Sequence, residues 1–174
     1  MKVVTNSGPL MALGKLGLLD LLSQLYGQVW LPTVVRDEVV VRGSESGYTD
    51  AFSVGMAIQR GQLVVAEVND AELSPDIASL SLDAGEKQAL HLALREKADL
   101  VLLDDLKARE EAQAQGLSVK GTLGVIVQAY RAGLLRFDEV QRIIEAIIAR
   151  NDIWIAAGLC HQVLSRLKAE EKGR

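Results

Sequence analysis

Apolar and polar positions alternate along the chain in a way that predicts short buried strands separated by helices. Val3-Val4 opens a strand ending at Thr5-Asn6-Ser7, and Pro9 suits the first turn of a helix over Leu10–Leu13, with Gly14 as its stop. Leu18–Leu25 reads as a second, apolar helix and Gln28–Leu31 as a strand, after which Pro32 opens a helix over Thr33–Val41. Glycine and serine dominate Arg42–Gly47, which predicts a loop closed by Tyr48 and followed by a helix to about Arg60. Leu63–Ala66 has the β-branched character of a strand, and Ser74-Pro75-Asp76 marks a turn.

The clearest amphipathic helix spans Asp83–Glu96, with Ala89, Leu90, Ala93 and Leu94 on one stripe. It leads into Asp99–Leu103, a continuous apolar run of the kind that forms a central parallel strand, ended by Asp104-Asp105. A helix over Leu106–Ala114, a short strand around Leu117–Val119, and helices over Leu123–Ala132, Asp138–Ala149 and Leu159–Ala169 complete the pattern. Strands alternating with helices imply a parallel sheet covered on both faces. No repeat, low-complexity stretch or linker divides the chain, so a single domain over residues 1–174 is expected, loosening into a tail from about residue 168.

Composition narrows this picture. The hydrophobic fraction is 49% but the aromatic fraction only 4%, so the core must be built from Leu, Val, Ile and Ala, which favours helices on a sheet. Trp30 and Trp154 are too few for a base-stacking platform and are expected in the core. The lone cysteine, Cys160, reads as a small apolar residue of the last helix and fits a reducing compartment. There is neither a signal-peptide pattern nor an apolar run near the roughly 18 residues that span a bilayer, so a cytoplasmic protein without membrane partners is expected. A net charge of −4 argues against coating duplex DNA through a broad basic face, yet suits an acidic site that holds a divalent cation.

In open parallel sheets, sites form at the carboxyl ends of the strands. Two strands here end in polar groups, at Asn6-Ser7 and at Asp104-Asp105, and the helix-borne Glu38, Glu86 and Asp83 could join them. Asp83 and Glu86 lie one helical turn apart and can face the same way. Crowded carboxylates repel one another unless a cation neutralises them, and Mg²⁺ or Mn²⁺ wants such oxygen ligands. Each residue also has a plainer role. Asp83 and Glu86 resemble a capping box, Asp105 an N-cap, Asn6-Ser7 a strand-to-helix turn, and Glu38 a solvated helix position. The helix-opening turn at Gly121-Thr122 could bind phosphate or merely cap. Lys15, Arg36, Lys107, Arg109 and Lys120 are scattered candidates for RNA phosphates, and scattered basic residues usually belong to solvated surface.

Five segments in order carry a resemblance to a known family: Val3–Leu10, Leu31–Glu38, Leu82–Glu86, Leu102–Asp105 and Gly121–Gly124. Together they resemble the PIN domains, in particular the compact prokaryotic VapC-like ribonucleases. The resemblance implies a three-layer α/β/α fold around a central parallel sheet, a metal-dependent endoribonuclease using Mg²⁺ or Mn²⁺, and usually a homodimer, with an antitoxin protein as a possible partner. Carried onto this chain, Glu38, Glu86 and Asp104 match the acidic catalytic and metal positions, with Asp83 and Asp105 adjacent, and Thr122 matches a hydroxyl position near the site; Ser7 and Thr122 are the candidate substrate contacts. Asn6 stands where the pattern usually has an aspartate. A neutral amide can still offer its oxygen to a cation but brings no charge and is a poor base. The alternative to the nuclease is therefore a PIN-like module that binds nucleic acid or a partner without cutting.

Overall fold

The structure is a computed structural model and describes residues 1–173. By internal contacts the chain divides into two compact units, Met1–Thr122 and Leu123–Arg174.

The first unit holds a five-stranded sheet, formed by β1 (Val3–Thr5), β2 (Val29–Pro32), β3 (Leu63–Ala66), β4 (Leu100–Leu102) and β5 (Val119–Lys120). All neighbours pair in parallel, in the order β3-β2-β1-β4-β5. Between them run α1 (Ser7–Lys15), α2 (Asp20–Tyr26), α3 (Thr33–Arg36), α4 (Gly43–Glu45), α5 (Thr49–Gln59), α6 (Pro75–Ala78), α7 (Ala84–Arg95) and α8 (Leu106–Ala114). A π-helical segment, Asp37–Arg42, joins α3 to α4, and a 3₁₀ turn covers Asp70–Glu72. Helices lie on both faces of the sheet, so the fold is a three-layer α/β/α arrangement with a central parallel sheet.

Strand alternation explains the layers. Val4 and Val101 turn to one face, where Ala89, Leu90, Leu92 and Ala93 of α7 and Ala108 and Ala112 of α8 form a continuous apolar cluster with them and with Leu103. α5 lies along β3 and α2 along β2, with α1 packed on α5. The small residues of the α7 stripe let that helix approach the sheet closely, which is why a chain so poor in aromatics still closes its core.

The second unit comprises most of α9 (Thr122–Arg131), then α10 (Phe137–Ala149) and α11 (Ala157–Lys172). α10 packs on α11, where Cys160 and Leu167 are buried, and the Tyr130 hydroxyl donates to the Glu171 carboxylate. α11 runs on to Lys172 through the segment from about residue 168, and Arg174 lies outside the described residues.

Three local expectations are corrected. The segment Arg42–Gly47 is helical through Glu45, because Gly43 is buried against Ala51 and lets the turn continue until Gly47 adopts a positive φ of 73°. Ser74-Pro75-Asp76 is not a plain turn: Ser74 caps the short helix α6 by accepting from the Ile77 N–H at 3.4 Å. Trp154 is 92% exposed rather than core, whereas Trp30 packs at the core's edge with the Lys2 ammonium 4.5 Å from its ring centroid.

Candidate active site at the carboxyl ends of β1 and β4

The register aligns Thr5 with Leu102, so the chain leaves the two neighbouring strands at Asn6 and Leu103 side by side. The Asn6 N–H donates to the Leu102 carbonyl at 3.3 Å, extending the ladder by one bond. Asn6 then occupies the N-cap position of α1 with an extended backbone, a place where asparagine normally accepts a helix N–H. Here its side chain makes no capping bond. Asn6 is only 5% exposed, and its Oδ1 is buried with no partner. A buried amide oxygen left unsatisfied costs about 1–3 kcal/mol, so something must be gained in return.

That oxygen shares its space with Asp104. A Cβ placed on Gly8 would stand 3.6 Å from both Asn6 Oδ1 and Asp104 Oδ2. Asp104 is held rigidly: its Oδ1 accepts the Thr122 N–H at 2.7 Å and its Oδ2 the Thr122 hydroxyl at 2.6 Å. The close approach depends on Gly121, where a Cβ would fall 2.9 Å from Asp104 Oδ1 and 3.3 Å from the Leu103 carbonyl. Burial pushes the Asp104 carboxyl above its ordinary range, while the two Thr122 hydrogen bonds and the Arg109 charge pull it back.

The other acids sit around this pair with defined local duties. Asp83 and Glu86 do form a capping box: the Glu86 N–H donates to Asp83 Oδ1 at 2.8 Å and the Asp83 N–H to Glu86 Oε2 at 3.1 Å. Asp105 caps α8, accepting the Ala108 N–H at 2.8 Å. Glu38 lies half-buried in the π-helical segment, and its Oε2 reaches within 3.4 Å of the point where a Gly85 Cβ would stand, as does Asp83 Oδ1. Burial raises the Glu86 pKa, with further upward pushes from the charges of Asp83, Asp105 and Glu38, so all four carboxylates feel one field. Ser7 opens α1 beside Asn6, and Thr122 is fully buried, its donors spent on Asp104.

Among the described residues, no three His, Cys, Asp or Glu side chains meet closely enough to hold a metal ion. Of the residues expected to gather, Asn6 lies with Asp104, and Glu86 pairs with Asp83 in the field of Asp105 and Glu38. The donor chemistry of Asn6 with Asp104 still fits a hard cation. Mg²⁺ commonly takes one or two carboxylates and fills its remaining positions with water, and the orphaned Asn6 oxygen beside Asp104 offers the second protein ligand.

A PIN-domain family model matches residues 2–169. The chain belongs to the PIN-domain family. PIN domains generally have metal-dependent nuclease activity and typically use divalent ions. Among solved structures, a PilT N-terminus domain protein from the hyperthermophilic archaeon Sulfolobus solfataricus is similar at 17% identity, with a TM-score of 0.54 over 74% of this chain and 93% of that one. That likeness supports the fold. A search of curated proteins finds no match. No helix among the described residues of this PIN domain is long and apolar enough to cross a membrane.

Sequence reasoning named the acids of this PIN domain but missed Gly8 and Gly121, whose bare backbones make room beside Asp104. A glycine ahead of a helix carries no signal for a contact with a residue seventeen positions earlier in the chain. Two outcomes follow. Asp83→Ala removes one half of the capping box and is expected to cost about 1 kcal/mol of stability, read as a lower denaturant midpoint. The raised pKa values of Asp104 and Glu86 have a definite sign: their contribution is fully present below the unfolded-state pKa and is lost as pH rises through the folded one. The melting temperature of metal-free protein should therefore fall more steeply over that window in wild type than in Asp104→Asn.

Proposed function

We propose that this PIN domain is an endoribonuclease that hydrolyses RNA phosphodiester bonds with Mg²⁺ or Mn²⁺. The observation that carries the reading is the unpartnered, buried Oδ1 of Asn6 beside the fixed carboxylate of Asp104. Asn6 and Asp104 would hold the ion, with Glu38 and Glu86 as the further acidic residues of the site. When bound, the ion polarises a phosphoryl oxygen and lowers the pKa of an attacking water.

The chain's own residues would divide the remaining work. Asp104 supplies fixed negative charge, because both its oxygens are tied to Thr122 and cannot rotate away. Thr122 is a positioning residue. Glu86, held in the capping box by the Asp83 N–H, adds a carboxylate beside Asp83 and Glu38. Asp83 and Asp105 add to the negative field while capping their helices. Ser7, at the start of α1 beside Asn6, is the proposed substrate contact.

We further assign the protein a cytoplasmic setting, a homodimeric state and a role as the toxin of a toxin–antitoxin pair, with an antitoxin protein as partner. A second reading, a PIN-like module that binds RNA or a partner without cutting it, is favoured by the neutral Asn6 and by the lack, among the described residues, of three acidic side chains close enough to share an ion. Incubation of the purified protein with several single-stranded and structured RNAs, with Mn²⁺, Mg²⁺ or EDTA, decides between them. Metal-dependent cleavage absent from the Asp104→Asn control supports the nuclease, and binding without cleavage in every RNA overturns it.

A further inference from the structure

An acidic site repels the polyanion it is meant to cut. Glu86 lies in the field of Asp83, Asp105 and Glu38, and Asp104 immediately precedes Asp105, so like charges crowd the approach to the strand ends. A phosphodiester approaching these acids needs a cation of the protein's own.

The basic residues singled out in the sequence differ sharply in what they do. Arg36 is tied to its neighbour Asp37, with Nε 2.7 Å from Oδ1. Lys15 is drawn over the Tyr48 ring, and Lys107 is exposed on the opening turn of α8. Arg109 stands apart. It is half-buried on α8, close enough to Asp104 for its charge to lower that carboxyl's pKa. Its Nη1 lies 3.5 Å from the point where a Gly121 Cβ would be, the same point that Asp104 Oδ1 approaches at 2.9 Å. Yet its guanidinium makes no hydrogen bond or ion pair among the described residues. The five donors of its planar fork are held at the edge of the site beside the Asp104 charge, over a gap that the missing side chain of Gly121 keeps open.

We propose that Arg109 is the phosphate-binding residue of this site, gripping a backbone phosphate of single-stranded RNA beside Asp104. The inference rests on the nuclease reading above. Guanidinium suits the task because its fork matches two phosphate oxygens at once, which a lysine ammonium does not.

The test is binding in the absence of metal: fluorescence anisotropy of a labelled single-stranded RNA in EDTA across a KCl series, for wild type, Arg109→Gln and Arg109→Lys, each checked for folding by thermal melting. Loss of one phosphate contact should reduce the slope of log K against log [salt] by about 0.7 for a single strand. Arg109→Gln should show that reduction and bind several-fold more weakly, while Arg109→Lys should keep the slope and lose part of the affinity. If wild type binds RNA and Arg109→Gln keeps its slope and affinity, this assignment alone is overturned. A wild type that neither binds nor cleaves RNA overturns the nuclease reading together with it. Should Arg109→Gln fail to fold, a folded Arg109→Lys that binds RNA with the affinity of wild type overturns the assignment.

Discussion

Asp104→Asn removes metal-dependent RNA cleavage, by about 100-fold or more in kcat/KM, and leaves the metal-free protein at least as stable as wild type at neutral pH. The two halves of this expectation come from the same geometry. Asparagine is isosteric with aspartate, so its Oδ1 can still accept the Thr122 N–H that now reaches Asp104 at 2.7 Å. Its amide group would donate to the Thr122 oxygen, reversing the bond that Thr122 now donates. The fold therefore keeps its local connections. What disappears is a charge that burial already disfavours, which raises the Asp104 pKa in the wild type. Loss of activity with retained or increased stability is the mark of a residue kept for chemistry. Cleavage assays in Mn²⁺ paired with melting curves in EDTA check both halves. A variant that cuts RNA as fast as wild type would remove Asp104 from the site.

Asn6→Asp should act in the opposite sense. A second carboxylate beside Asp104, on a residue only 5% exposed, places two like charges in one poorly solvated space. Metal-free protein should lose about 2 to 4 kcal/mol at neutral pH, the range expected for an uncompensated buried charge. Divalent metal should restore it, since a ligand at a hundredfold its Kd stabilises by about 2.7 kcal/mol. The melting temperature should thus be lower than wild type in EDTA and rise more steeply with added Mn²⁺. Cleavage should increase tenfold or more if the neutral amide is what limits metal affinity. Metal-independent melting of this variant would show that no ion sits between the two strand ends. Strong metal binding with no cleavage would favour the binding module over the nuclease.

Much of the architecture was legible because it rests on local pattern. Leu63–Ala66 and Leu106–Ala114 were read with the bounds the structure gives them, the first from its β-branched run and the second from the Asp105 cap that precedes it. The capping box at Asp83 and Glu86 was equally visible, though the sequence left open whether those acids cap or bind metal. What stayed hidden depends on distant partners. Nothing in Arg42–Gly47 announces that Gly43 will lie against Ala51, which turns an expected loop into a helix. The π-helical path that carries Glu38 follows a helical pattern up to Val41 with no mark of its own. Asn6 reads from the sequence both as a turn or cap residue and, through the family resemblance, as a neutral metal ligand. Only the absence of any partner for its Oδ1 separates a ligand from a cap.

The strand order has a consequence for the birth of the protein. Asn6 and Asp104 belong to neighbours in the sheet, β1 and β4, but nearly the whole of the first unit separates them along the chain, and the Thr122 clamp comes later still. Such non-local pairing forms slowly, because the entropy of closing a long loop must be overcome before the contacts that reward it exist. Synthesis proceeds at about 5–20 residues per second, and the ribosome itself is RNA lying within reach of every nascent chain. A nascent chain that has not yet emerged through residue 122 lacks the Thr122 clamp on Asp104, so the Asn6–Asp104 arrangement is complete only when the first unit is.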